Sequence, residues 1–149
     1  MIDLSLIKKL RKETSLPFSE IKKALEKSGG DIKKAKKILE KQAKEVFEKK
    51  KEKETKEGGI GIYLHSNKKL GAMVKVLCET DFVAKNEVFQ NLLKDLAMQV
   101  AAMKPKNVDE LLEQDFIKDP QKKVKDIIKE AVFLLKENIK VEDFVFFEI

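Results

Sequence analysis

A chain of 149 residues with 42% hydrophobic side chains holds enough apolar material for one ordinary core plus a small helical module, and too little for two large domains. No stretch approaches the roughly 18 consecutive apolar residues of a membrane helix, and Met1 leads straight into an amphipathic pattern rather than a secretion signal, so a cytoplasmic protein without a membrane partner is expected. The net charge of +6 is uneven: residues 1–57 carry 18 Lys and Arg against 11 Asp and Glu, and residues 58–149 carry 14 against 15, so the basic segment suits an acidic partner, a nucleic acid or plain solvation.

The first 47 residues read as three short helices. Ile2, Leu6, Ile7 and Leu10 mark the apolar face of the first, which runs out near Thr14 before Pro17. Ser19 is the expected N-cap of the second, which carries Ile21, Ala24 and Leu25 and closes at Gly29-Gly30, where positive φ is cheap. Asp31 caps a third helix with Ile32, Ala35, Ile38, Leu39, Ala43, Val46 and Phe47 on its face. The run Glu48 to Glu57 has no apolar residue, so it is either a solvated extension of that helix or a linker, with Gly58-Gly59 as the boundary.

From Ile60 the pattern changes to β. Ile60, Ile62 and Leu64 alternate with other residues, Ser66-Asn67 supplies a turn, and Leu70 to Glu79 is a second strand, giving an antiparallel hairpin. A long helix follows, capped by Asn86 or Asp81, with Phe89, Leu92, Leu93, Leu96, Ala97, Val100 and Ala101 on one face and Pro105 beyond its end. After an irregular piece around Leu111 and Pro120 comes a helix carrying Val124, Ile127, Ile128, Ala131, Leu134 and Leu135, and Val141 to Ile149 reads as a closing strand apolar on both faces. The fold class is therefore α+β: residues 1–47 as a helical module, 48–59 as a charged linker or helix extension, and 60–149 as a small antiparallel sheet covered by helices.

Catalytic chemistry has little to work with. His65 stands alone at a hairpin end, and Cys78, flanked by Val74, Val76 and Leu77, reads as a buried strand thiol rather than a reactive one. No His and Cys cluster exists for a metal, and Gly58-Gly59-Ile60-Gly61 lacks the Lys-Ser/Thr of a phosphate loop and precedes a strand, so neither catalytic residues, a metal nor a cofactor is expected. The basic segment interleaves Lys with Glu and has no aromatic stacking platform, which disfavours a nucleic-acid partner. At the strand-to-helix corner Thr80-Asp81-Phe82-Val83 two accounts stand side by side. Either Thr80 or Asp81 caps a helix and Phe82 is its first core contact, or Phe82 projects as a wedge for a partner with the Asp81 charge beside it.

The residues around that corner carry a resemblance. Cys78-Glu79-Thr80-Asp81-Phe82-Val83-Ala84-Lys85-Asn86-Glu87, followed by Phe89-Gln90, resembles the signature segment of the elongation factor Ts family. Leu10 to Thr14, Lys22 to Leu25, Gly30-Asp31-Ile32, Ala97 to Pro105 and Lys136-Glu137-Asn138-Ile139 are similar to other segments of that family. The resemblance implies a ubiquitin-associated-like N-terminal module and a non-enzymatic exchange factor for the GTPase elongation factor Tu. It implies partner contacts at Thr80, Asp81, Phe82, Val83, Arg11, Lys22 and Gln99, with the Phe82 corner disturbing the GTPase near its nucleotide. The chain also departs from the family pattern. Ser15-Leu16-Pro17 replaces a Gly-x-Gly turn, Lys75 and Leu77 replace Glu and Asn, and Gln99 replaces a frequent histidine, which leaves only an amide for hydrogen bonding there. The core is brief beside family members with two core repeats or a helical insertion, so a partner contact made by the missing part is either absent or supplied by a second copy, and a homodimer through the sheet or the terminal strand is the expected form of the latter.

Overall fold

The computed structural model describes residues 3–14 and 16–149; Ile2, assigned above to the first apolar face, and Ser15 of the turn before Pro17 lie outside them. Helices α1 (Leu4–Thr14), α2 (Phe18–Lys27) and α3 (Ile32–Lys50) follow one another closely. Their i, i+3, i+4 apolar positions converge, so that Ile7, Leu10, Leu16, Ile21, Ala24, Leu25, Ala35, Leu39 and Ala43 form one buried cluster. Gly29 and Gly30 take φ values of 67° and 88°, the left-handed region that ends α2 and turns the chain, and the Asp31 carboxylate then accepts from Lys34 N at 3.2 Å to start α3. The cap of α2 is Pro17 rather than Ser19: its carbonyl accepts from Glu20 N and Ile21 N, its φ of −62° already suits helix entry, and Ser19 falls within the first turn.

The charged run divides between both of its readings. Residues 48–50 continue α3, and 51–56 form a short connector before β1 (Glu57–Leu64). Gly58 and Gly59 are not a boundary, because they sit inside β1 opposite Leu77 and Val76. A methyl group on Gly61 would lie 2.1 Å from the Leu93 carbonyl oxygen, so the helix α5 (Glu87–Met103) rests directly on the backbone of β1 there.

Strand β2 (Leu70–Cys78) is central in an antiparallel sheet of order β1-β2-β5, and β5 (Lys140–Glu148) is an edge paired with β2 alone. Alternation puts Ala72, Val74, Val76 and Cys78 on the inner face, where α5 covers them and α7 (Val124–Leu135) closes the same core from behind α5 and α6. Among the described residues nothing covers the opposite face: Ile62, Met73 and Val145 lie in register across the three strands, and all are exposed, as are Leu64, Phe147 and Ile149.

A short helix α4 (Asp81–Ala84) stands before α5 as a separate turn, and between α5 and α7 lie elements with no sequence forecast: α6 (Val108–Glu113) and a second small hairpin, β3 (Asp115–Phe116) with β4 (Asp119–Lys123). The helical module is not packed by itself. Phe133 of α7 is buried in its cluster, Val46 packs against both cores, and Lys122 Nζ donates to the Glu13 carbonyl at 2.9 Å while pairing with Glu130 at 2.8 Å.

Candidate functional site

The site grows from the end of β2. Cys78 is fully buried, donates its thiol to the Thr80 carbonyl at 3.3 Å, and has its pKa pushed up to about 11, first by burial and then by the nearby Glu137 charge. That is the inert strand thiol the sequence suggests. Thr80 is the N-cap of α4: its backbone is extended and its Oγ1 accepts from Val83 N at 3.3 Å. Of the two candidate caps for α5, Asn86 fills the role, accepting from Val88 N at 2.8 Å.

The single turn of helix places Val83 and Ala84 on its inner side and Phe82 on its outer side, so of the first account of the corner the Thr80 cap holds and the core contact does not. Val83 and Ala84 are buried in the core, while Phe82 is 82% exposed and Asp81 is exposed beside it, paired with Lys85 at 2.8 Å. Phe82 is thus not a core contact. Both ends of the turn are braced. Glu137 accepts from Glu79 N and Thr80 N, each at 3.0 Å, and from Thr80 Oγ1 at 2.6 Å, while Gln90 Nε2 donates to the Ala84 carbonyl at 2.7 Å. An aromatic ring held out on a fixed backbone offers surface to a partner without a large ordering cost.

The remaining residues singled out in the sequence lie elsewhere. Arg11 and Lys22 are exposed on α1 and α2 of the helical module. Gln99 does not join the corner: it is fully buried, its amide nitrogen donates to Asp115 O at 3.0 Å and Gln114 Oε1 at 3.2 Å, and its oxygen accepts from Ile117 N at 2.9 Å. With the amide engaged internally, Gln99 pins the β3–β4 hairpin onto α5. His65 is exposed, its Nδ1 2.9 Å from the Tyr63 hydroxyl, and among the described residues no group of His, Cys, Asp and Glu is placed to hold a metal ion. The sequence placed Glu79 and Gln90 in the signature segment and Glu137-Asn138 in another family-like segment without giving any of the four a role, because Glu137 and Asn138 reach the corner only through the fold.

The family model described as "Elongation factor TS" matches residues 6–110 and 79–149, which spans nearly the whole chain. The chain belongs to the elongation factor Ts family. The elongation factor Ts of Thermodesulfovibrio yellowstonii is 37% identical over 192 residues, covering 99% of this chain and 96% of that one. That of Thermosipho melanesiensis is 39% identical over 194 residues, covering 100% and 99%. A chloroplastic polyprotein of EF-Ts from Oryza sativa subsp. indica is 37% identical over 189 residues, covering 96% of this chain and 17% of the polyprotein. These alignments are longer than the 149 residues here, so the elongation factor Ts relatives contain stretches without a counterpart in this chain, in keeping with its brief core. Membership makes the chain a translation elongation factor, serving protein biosynthesis. Among the described residues no helix is long and apolar enough to cross a membrane.

Proposed function

We propose that this member of the elongation factor Ts family is a cytoplasmic guanine nucleotide exchange factor that binds elongation factor Tu and speeds GDP release, with no bond chemistry of its own. The observation that carries the reading is Phe82, a large ring left 82% exposed on a corner whose backbone is hydrogen-bonded at both ends. Burying such a ring in a partner gains about 1.5–3 kcal/mol, enough to offset a comparable distortion of the GTPase around its nucleotide. Because coupling between two ligands is reciprocal, a bound nucleotide weakens the hold on this factor by the same amount, so the factor is released and acts again.

The helical module of residues 1–47, with Arg11 and Lys22 exposed on its surface, docks on the GTPase, while Thr80, Asp81 and Phe82 make the intruding contact. Val83 contributes from beneath as the buried anchor of the turn, and Gln99 acts indirectly through the hairpin it holds. A second copy of this chain covers the open sheet face. The row Ile62, Met73 and Val145 with Phe147 offers a self-complementary apolar surface next to the β5 edge, which pairs with β2 alone. Release of a fluorescent GDP from elongation factor Tu, followed with and without this chain, tests the central reading, and no acceleration at any concentration would refute it.

A further inference from the structure

Asn138 lies between α7 and β5 and is almost completely buried. Its side-chain nitrogen donates to the carbonyls of Lys51 at 3.3 Å and Lys53 at 2.8 Å, both in the connector that leaves α3, and its backbone N–H donates to the Glu79 carboxylate at 2.5 Å. The preceding residue, Glu137, holds Glu79 N, Thr80 N and Thr80 Oγ1. Two consecutive residues thus fasten together two distant pieces of backbone: the exit from the helical module and the corner that presents Phe82. Residues 51–56 have no apolar side chain to anchor them, and among the described residues their hydrogen bonds to the sheet domain before β1 run through Asn138.

We infer that Glu79, Glu137 and Asn138 form a positioning clamp that sets the Phe82 corner at a fixed offset from the helical module, so that docking of the module delivers the ring to its target. The inference rests on the exchange reading above. It assigns Asn138 a role in the rate of exchange without any contact to the partner. Packing of α3 on α7 holds the body of the module, and the clamp ties its exit directly to the corner. With both in place docking and intrusion share one geometry and the second event follows the first at high effective concentration; without the clamp the corner shifts relative to the docked module and the ring arrives at the wrong place.

Two changes separate the clamp from ordinary structural support. Asn138→Ala removes both bonds to the connector. Insertion of two glycines between Glu54 and Thr55 lengthens the chain downstream of the clamp, so an intact clamp still fixes the module to the corner. GDP release from elongation factor Tu is measured against concentration of the full chain, below the melting temperature of each variant. Asn138→Ala is expected to lower the maximal rate about tenfold with little change in the half-saturating concentration. The insertion alone is expected to change neither, and in the Asn138→Ala background to reduce the rate further.

A folded Asn138→Ala with the full maximal rate overturns the clamp, as does a loss confined to the half-saturating concentration. Should Asn138→Ala fail to fold, Asn138→Ser, whose shorter side chain does not reach both connector carbonyls, takes its place: a lowered maximal rate supports the clamp, and a full maximal rate overturns it. Absence of acceleration by the unmodified chain refutes the exchange reading and the clamp with it, whereas normal acceleration by every variant refutes the clamp only.

Discussion

Glu137 and Thr80 meet across the end of the sheet, one carboxylate oxygen accepting Thr80 N–H at 3.0 Å and the other accepting the Thr80 hydroxyl at 2.6 Å. Ionised acceptors make the shorter and stronger hydrogen bonds, so this pair fixes the backbone from which α4 departs. With Thr80 fixed and Val83 and Ala84 packed inward, the helical turn leaves Phe82 no direction but outward.

Phe82→Ala is therefore expected to leave stability within about 0.5 kcal/mol, as exposed substitutions do. It should nevertheless remove most of the acceleration of GDP release. Phe89→Ala provides the contrast, since Phe89 is fully buried and its truncation should cost about 3–5 kcal/mol. Thermal unfolding paired with stopped-flow GDP release reads both, and a destabilised Phe82→Ala that still exchanges normally when folded would sink the wedge.

Thr80 and Asp81 should separate in the same assay. Thr80 caps α4 and bonds Glu137, so Thr80→Ala is expected to lose about 1–2 kcal/mol. Asp81 makes only an exposed pair with Lys85, so Asp81→Ala should melt like the unmodified chain and lose exchange alone. Equal destabilisation of the two variants in urea titrations would show that Asp81 shares the cap.

Gln99→Leu should destabilise the chain by about 1–3 kcal/mol, because the Asp115 carbonyl and Ile117 N–H would be left without their buried partner. Amide hydrogen exchange at Ile117 should rise selectively. A variant as stable as the original, with Ile117 still protected, would mean that the hairpin does not depend on this amide.

The thiol of Cys78 offers a pH test. Its native pKa, about 11, lies above its ordinary value of 9.0, so the native state keeps the proton longer than the unfolded chain. Its contribution to stability is complete below about pH 9 and is lost as pH rises through the native value. Iodoacetamide at pH 8 should react with the native thiol far more slowly than with the urea-unfolded chain. Comparable rates would show that the strand end opens readily.

Light scattering at rising concentration should report a dimer, and Phe147→Asp should return it to a monomer with its melting profile retained at low concentration, since Phe147 is 76% exposed. A monomer throughout, alone and with elongation factor Tu, would dispose of the covered sheet face.

Periodicity was enough to place most of this fold. The helical faces of α1, α2, α3, α5 and α7 and the strands β2 and β5 were legible because each turns a regular stripe toward a core, written every 3.6 or 2 residues, while β1 was legible from the alternation of Ile60, Ile62 and Leu64, which lie on the exposed face. The signature around Thr80-Asp81-Phe82 was legible too, as a corner with two possible meanings. That Phe82 is no core contact was decided by tertiary structure: Phe82 is apolar like Phe89, yet it stands outward on a turn whose neighbours Glu137 and Gln90 brace, while Phe89 is buried. The same is true of Gln99 and Asn138. Their partners include backbone groups of β3, of the residue just after it and of the α3–β1 connector, distant in sequence, and a hydrogen bond from a side chain to distant backbone leaves no periodic trace in the chain that makes it.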